Sequence, residues 1–290
     1  MKSKKIILIM SILVIFCFII TGCNNNQQQK SEKPIIAVTI VPEIDFVKAV
    51  CGDLYEVVAL VPPGNSPENY EPTPMEMEKF SQALIYFSIG VPTEENNIMP
   101  NVSKDTKVVK LDETVKTLYG ELTLGNTRDP HIWLSPNRVM TMVNNIRMQL
   151  SELDPNNAEL FEKNAIKYMT ELQNVQKEIE DSLANIENRK IIVYHPAFGY
   201  FCDDFKLEMV ALEEEGKEAT AKSLTKIIDM AKNEGIKVIF YQEEIDSSQS
   251  KAFAEEIGGK TCMLSPLSQN YIENLKLMAK TIVEAYNADE

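Results

Sequence analysis

Eight short apolar runs, four in each half of the chain, alternate with stretches of helical periodicity, and one long amphipathic stripe separates the two sets. The first set lies at residues 35–40, 57–61, 84–89 and 107–111, and the second at 190–194, 209–212, 238–241 and 261–264. Continuous apolar strands alternating with helices require parallel sheets buried on both faces, because a parallel crossover lays a helix over each face. The chain is therefore expected to be α/β, with two small lobes of parallel sheet. Between them, Asp154-Pro155 offers an N-cap followed by proline in the first helical turn. Phe161, Ala165, Tyr168, Leu172, Val175, Ile179, Leu183 and Ile186 then recur at intervals of three and four. That spacing predicts one helix over 155–186, roughly 48 Å long at ~1.5 Å per residue. Ala, Tyr and Phe interrupt the seam that a coiled-coil dimer would need, so the stripe reads as a rigid strut packed along both lobes. The expected organisation is an N-terminal lobe at 34–150, a linking helix within 151–188 and a C-terminal lobe at 189–290. A monomer is expected.

The first residues read as an address. Lys2, Lys4 and Lys5 precede an apolar run over residues 6–20, too short for the ~20 residues of a bilayer span. The run closes on Thr21-Gly22-Cys23, which looks like a bacterial lipobox. The expectation is a signal peptide at 1–22, cleavage before Cys23 and a lipid on the Cys23 sulfur. Residues 23–33 contain no apolar side chain after the cysteine and form a flexible tether. The protein is thus expected on the extracytoplasmic face of the cell membrane, held by its lipid. Cleavage removes three lysines and no acid, so the mature chain is more acidic than the formal −14 of the full sequence. Such a balance excludes nucleic acid as a partner, since that requires a basic footprint. Of the five cysteines, Cys51, Cys202 and Cys262 remain for the folded part, with no CxxC spacing, so no disulfide framework is expected.

Ligands of open α/β sheets bind beyond the carboxyl ends of the strands. Those ends here carry turn-rich segments with metal-ligating residue types. After the second run comes a loop containing Pro67-Glu68-Asn69-Tyr70, and after the fourth run Asp129-Pro130-His131-Ile132-Trp133. His195-Pro196 directly follows the fifth run, Gln242-Glu243 the seventh and Ser265-Pro266 the eighth. The chain has only two histidines, which excludes His-rich metal storage, yet each lies beside a proline at a strand or loop end, one per lobe. Asp129 is placed to orient the His131 ring, or to cap the turn that follows. There is no HExxH or GxSxG and no compelling Ser/His/Asp spacing, so binding is expected rather than catalysis.

Several stretches together resemble the solute-binding lipoproteins of zinc and manganese ABC transporters. They are Pro67-Glu68-Asn69-Tyr70-Glu71-Pro72-Thr73-Pro74, Asp129-Pro130-His131-Ile132-Trp133-Leu134, Tyr194-His195-Pro196-Ala197-Phe198-Gly199-Tyr200-Phe201 and Glu213-Glu214-Glu215-Gly216-Lys217-Glu218. The resemblance spans nearly the whole mature chain. It implies two lobes joined by a long helix, one metal in the cleft, and delivery to an ABC permease driven by its ATPase. The ligands it implies are His131, His195 and Glu68. Relatives usually have histidine at position 68, and many have an acidic ligand where Ser265 stands. Gln242, Glu243 or water is left to complete the shell. Zn2+ is favoured because His195 and its flanks resemble the zinc-type relatives, with Mn2+ as the alternative.

Overall fold

The computed structural model describes residues 33–214, 217–245 and 248–287. The expected signal peptide, Cys23 and all but the last residue of the tether lie outside the described residues. Strand β1 (Ile35–Val38) leads into helix α1 (Val41–Cys51), then β2 (Glu56–Ala59), α2 (Pro74–Phe80), β3 (Ala83–Ser88) and β4 (Lys107–Lys110). Helix α3 (Leu111–Tyr119) and a two-stranded hairpin, β5 (Thr123–Leu124) with β6 (Thr127–Arg128), complete this part. Helices α4 (Pro136–Leu153) and α5 (Ala158–Leu183) follow. The second half holds β7 (Lys190–Val193), α6 (Gly199–Phe205), β8 (Glu208–Ala211), the pair β9 (Glu213–Glu214) and β10 (Lys217–Glu218), and α7 (Ala221–Asn233). It closes with β11 (Val238–Tyr241), α8 (Ser248–Glu256), β12 (Lys260–Met263) and α9 (Tyr271–Asn287).

Both main sheets are parallel and both have the same order. The first runs β2-β1-β3-β4 and the second β8-β7-β11-β12, so each places its first strand beside its third. That reversal of direction makes a crevice at the carboxyl ends of β1/β3 and of β7/β11. Alternation along β1 shows how one strand serves two layers. Ile36 and Val38 enter the large core, whereas Ala37 joins Tyr86, Phe80, Leu60 and Ile98 on the other face. All eight apolar runs of the sequence are strands, but most end one or two residues sooner than their apolar character does. Val41-Pro42-Glu43 ends the first: Pro42 donates nothing to a sheet, and Glu43 accepts the amides of Thr39 and Ile40 in a capping arrangement.

The long stripe is a helix shorter than its periodicity predicts. Pro155–Asn157 is a 3-10 turn, and Ile186 is buried beyond the helix end. Asp154 does not cap α5, because its carboxylate is taken by the Asn157 side-chain amide at 2.6 Å. The stripe itself is buried from Phe161 to Leu183, with Phe161, Ala165 and Leu172 fully so. It packs on α1 and α4 of the first half and on α9 of the second, so one apolar core runs through both lobes. Buried polar contacts join the lobes further. Trp133 Nε1 donates to the Pro266 carbonyl at 2.8 Å, and Tyr271 Oη donates to the Trp133 carbonyl at 2.6 Å. Arg138 of α4 lies over the Tyr200 ring and pairs with Asp203 and Asp204 of α6, each at 2.9 Å. Cys51, Cys202 and Cys262 are free thiols.

Candidate metal centre

His131 is held by a residue two positions before it in the chain. Asp129 is fully buried, and its Oδ1 accepts both the His131 backbone amide at 2.9 Å and the ring Nδ1–H at 2.8 Å. Both roles foreseen for Asp129, turn former and ring orienter, are thus filled by one oxygen. Binding at Nδ1 leaves Nε2 as the free lone pair, the usual arrangement for a metal-facing imidazole. Trp133 backs the ring, with centroids 5.2 Å apart. The other Asp129 oxygen lies where Gly199 leaves room: a Cβ on Gly199 would come within 2.3 Å of it. A residue of the second lobe thereby packs against the support of the first lobe's histidine.

His195 stands two residues past β7. Its Nδ1 lies 2.6 Å from Glu213 Oε2, and its Nε2 lies 3.1 Å from Glu68 Oε1. Burial would lower the basicity of this ring, but the two carboxylates outweigh it and hold the imidazolium up to about 9. Glu68 responds in kind. Burial would push its carboxyl up, yet the hydrogen bond and charge of His195 keep it below the ordinary carboxylate range. The pairing of His195 with Glu213 escaped the sequence reading, and its signal is register. Val193 is paired with Ala211 across β7 and β8, so residues two beyond each come side by side. The Glu213 amide, donating to the Tyr194 carbonyl at 3.0 Å, continues that register.

Glu68, His131 and His195 offer ligand atoms that all lie within 4.8 Å of one another. The two imidazoles are 5.4 Å apart at an angle of 78°. A tetrahedral ion with arms of ~2.1 Å sets its donors about 3.4 Å apart, so small side-chain rotations close the group around an ion. The three line a cavity of about 680 Å³ that extends past Ser88, Glu94 and Asp112. The other residues singled out in the sequence stand differently. Glu243 is exposed and lies outside this group. Gln242 is buried, and its Oε1 has no hydrogen-bond partner. Ser265 is half-buried, and its carbonyl accepts the Asn274 side-chain amide at 2.6 Å. Cys202 is buried among the core residues, where burial pushes its thiol far up.

Two imidazoles and a carboxylate, each imidazole backed by an acid, form a donor set for a borderline divalent cation. The comparisons with known proteins point the same way. At 29% identity the chain resembles the high-affinity zinc uptake system protein ZnuA of Bacillus subtilis (strain 168), over 87% of this chain and 86% of that protein. At 29% it also resembles the zinc-binding lipoprotein AdcA of Streptococcus pneumoniae (strain ATCC BAA-255 / R6), over 96% of this chain and 61% of that one. The chain spans little more than half the length of the streptococcal AdcA proteins it matches. Among solved structures, a crystal structure of ZnuA superposes with a TM-score of 0.82 at 32% identity, covering 88% of this chain and all of that one. The periplasmic zinc binding protein TroA of Treponema pallidum shares the fold, with a TM-score of 0.80 over 88% of this chain and 99% of that one, at 21% identity. The family described as zinc-uptake complex component A periplasmic, ZnuA, matches residues 36–285. The chain therefore belongs to the ZnuA family of solute-binding proteins for zinc uptake, which are not enzymes.

Proposed function

We propose that this protein is a lipid-anchored receptor that captures Zn2+ outside the cell and hands it to an ABC permease driven by a cytoplasmic ATPase. In this reading residues 1–22 are a cleaved signal peptide, Cys23 carries the lipid and residues 23–33 are the tether. Residues 34–150 and 189–290 are the lobes, and 151–188 contain the linking helix. The metal is held by His131, His195 and Glu68. The observation that carries the proposal is the convergence of these three side chains from separate strand ends, with Asp129 and Glu213 fixing the rings. Relatives named as zinc-binding lipoproteins support the anchor and the metal together.

Three protein donors leave one tetrahedral position for water or for a fourth side chain, the place the sequence reading gives to Gln242 or Glu243. A manganese receptor of the same kind is the second reading, because Glu68 supplies a hard oxygen donor where relatives carry histidine. Calorimetric titration of the mature protein with Zn2+ and with Mn2+ tests both. We expect tighter binding of Zn2+, and loss of binding in the His131→Ala, His195→Ala double variant. Unchanged affinity in that variant overturns the site.

A further inference from the structure

Glu68 sits on a long irregular loop, and its amide has one local hydrogen bond, to Ser66 Oγ at 3.3 Å. The loop is nevertheless tied down on both sides of Glu68 by one short segment. The Thr93 amide donates to the Pro67 carbonyl at 3.1 Å. Beyond Glu68, the Tyr70 carbonyl accepts from both Thr93 Oγ1 and the Asn97 side-chain amide, the latter at 2.8 Å. Asn97 Nδ2 also lies 3.3 Å from Thr93 Oγ1, so the two clamp residues brace each other. They lie on a single π-helical turn, Glu94–Ile98, with Thr93 at its N-cap. Such turns are rare, are less favourable than an α-turn, and cluster at functional sites.

The turn is anchored in its own right. Glu94 is buried, and its carboxylate accepts the amides of Ile89 and Gly90, each at 2.8 Å, and the Thr39 hydroxyl. The chain from the carboxyl end of β3 is therefore locked to β1 before it reaches out to the loop.

We infer that Thr93 and Asn97 are positioning residues for metal capture, which hold the Glu68 carboxylate against the two histidines. The inference rests on Glu68 being a ligand. It extends that reading to how this chain holds an acidic ligand on an irregular loop. Residues that act on the metal only through Glu68 lose their effect once Glu68 cannot ligate, whereas residues that merely stabilise the fold keep it. A double-mutant cycle separates the two cases.

The measurements are Zn2+ affinities of the mature protein, of Glu68→Gln, of Asn97→Ala and of Glu68→Gln with Asn97→Ala, each paired with a thermal melt. The same set is repeated with Thr93→Val. Glu68→Gln should weaken binding about tenfold or more, and Asn97→Ala about three- to tenfold. In the Glu68→Gln background the Asn97 effect should fall below about twofold. Equal losses in both backgrounds, or no loss from Asn97→Ala, overturn the inference. Should Thr93→Val not fold, the Asn97 cycle decides alone, since that side chain is only half-buried and its removal leaves the Thr93 bond in place. If Glu68→Gln binds like wild type while His131→Ala does not, the metal site stands but Glu68 is not a ligand, and the inference falls with it. If His131→Ala also binds like wild type, the metal-site reading itself has failed.

Discussion

Zinc capture should be coupled to loss of a proton from His195. In the metal-free protein this ring is an imidazolium with its affinity for protons raised to about 9, and its Nε2 points at Glu68 3.1 Å away. A metal needs that nitrogen as a lone pair, so Zn2+ must displace the proton. At pH 7 the ring lies about two units below its midpoint, which makes the apparent affinity roughly a hundredfold weaker than its limit, or about 2.7 kcal/mol. The apparent affinity should rise about tenfold per pH unit from 7 to 8 and level off near 9. Titration against a chelator of known proton linkage at pH 6.5 to 9 gives this slope. Calorimetry in buffers of different ionisation enthalpy gives the number of protons released, expected to be about one at pH 7 to 8. A flat affinity and no proton release over that range would refute the reasoning, because the ring would then be neutral before the metal arrives. The same ring makes a stability prediction for the metal-free protein. Its folded value lies above the unfolded value of about 6.5, so its contribution is full below pH 6.5 and is lost as pH rises towards 9. The loss is at most about 3–4 kcal/mol, and saturating Zn2+ should offset it.

Three further outcomes follow from single positions. Glu94 is held up to about 7 by burial, with an added push from Asp112, against the bonds from Thr39, Ile89 and Gly90. Its folded value exceeds the unfolded one, so its contribution is lost as pH rises from about 4.5 to 7, and Glu94→Gln should flatten urea-measured stability across that window. Leu172→Ala, in the fully buried stripe of α5, should cost roughly 2–5 kcal/mol by chemical denaturation, since the helix is core to both lobes and leaves a cavity. Gly199→Ala places a methyl about 2.3 Å from Asp129 Oδ2, so it should weaken Zn2+ binding about tenfold or more through His131. A Gly199→Ala protein with unchanged zinc affinity would show that Asp129 tolerates displacement.

Much of this architecture was legible without coordinates, because it rests on local rules. Continuous apolar runs marked the eight strands of the two main sheets, and a 3.6-residue stripe marked α5, since burial selects side chains by the geometry of the backbone that carries them. The ends were less legible. Where β1 stops depends on Glu43 turning back to the Thr39 and Ile40 amides. Where α5 starts depends on Asn157 competing for Asp154. Each is a choice between hydrogen bonds of similar strength that periodicity does not encode.

For the candidate site, residue type and position singled out His131 and His195, because strand ends in a parallel sheet are where ligands gather, and the family resemblance added Glu68. The sequence by itself determined the α/β alternation and where along it the candidate donors stand. Only the tertiary structure decided which carboxylates serve the histidines. Asp129 was within reach of His131 along the chain, but Glu213 meets His195 through the register of β7 and β8. Thr93 and Asn97 reach the Glu68 loop from a π-turn that no pattern announces. These contacts join residues far apart in sequence, and such contacts exist only once the sheets have chosen their order and the core has closed around the long helix.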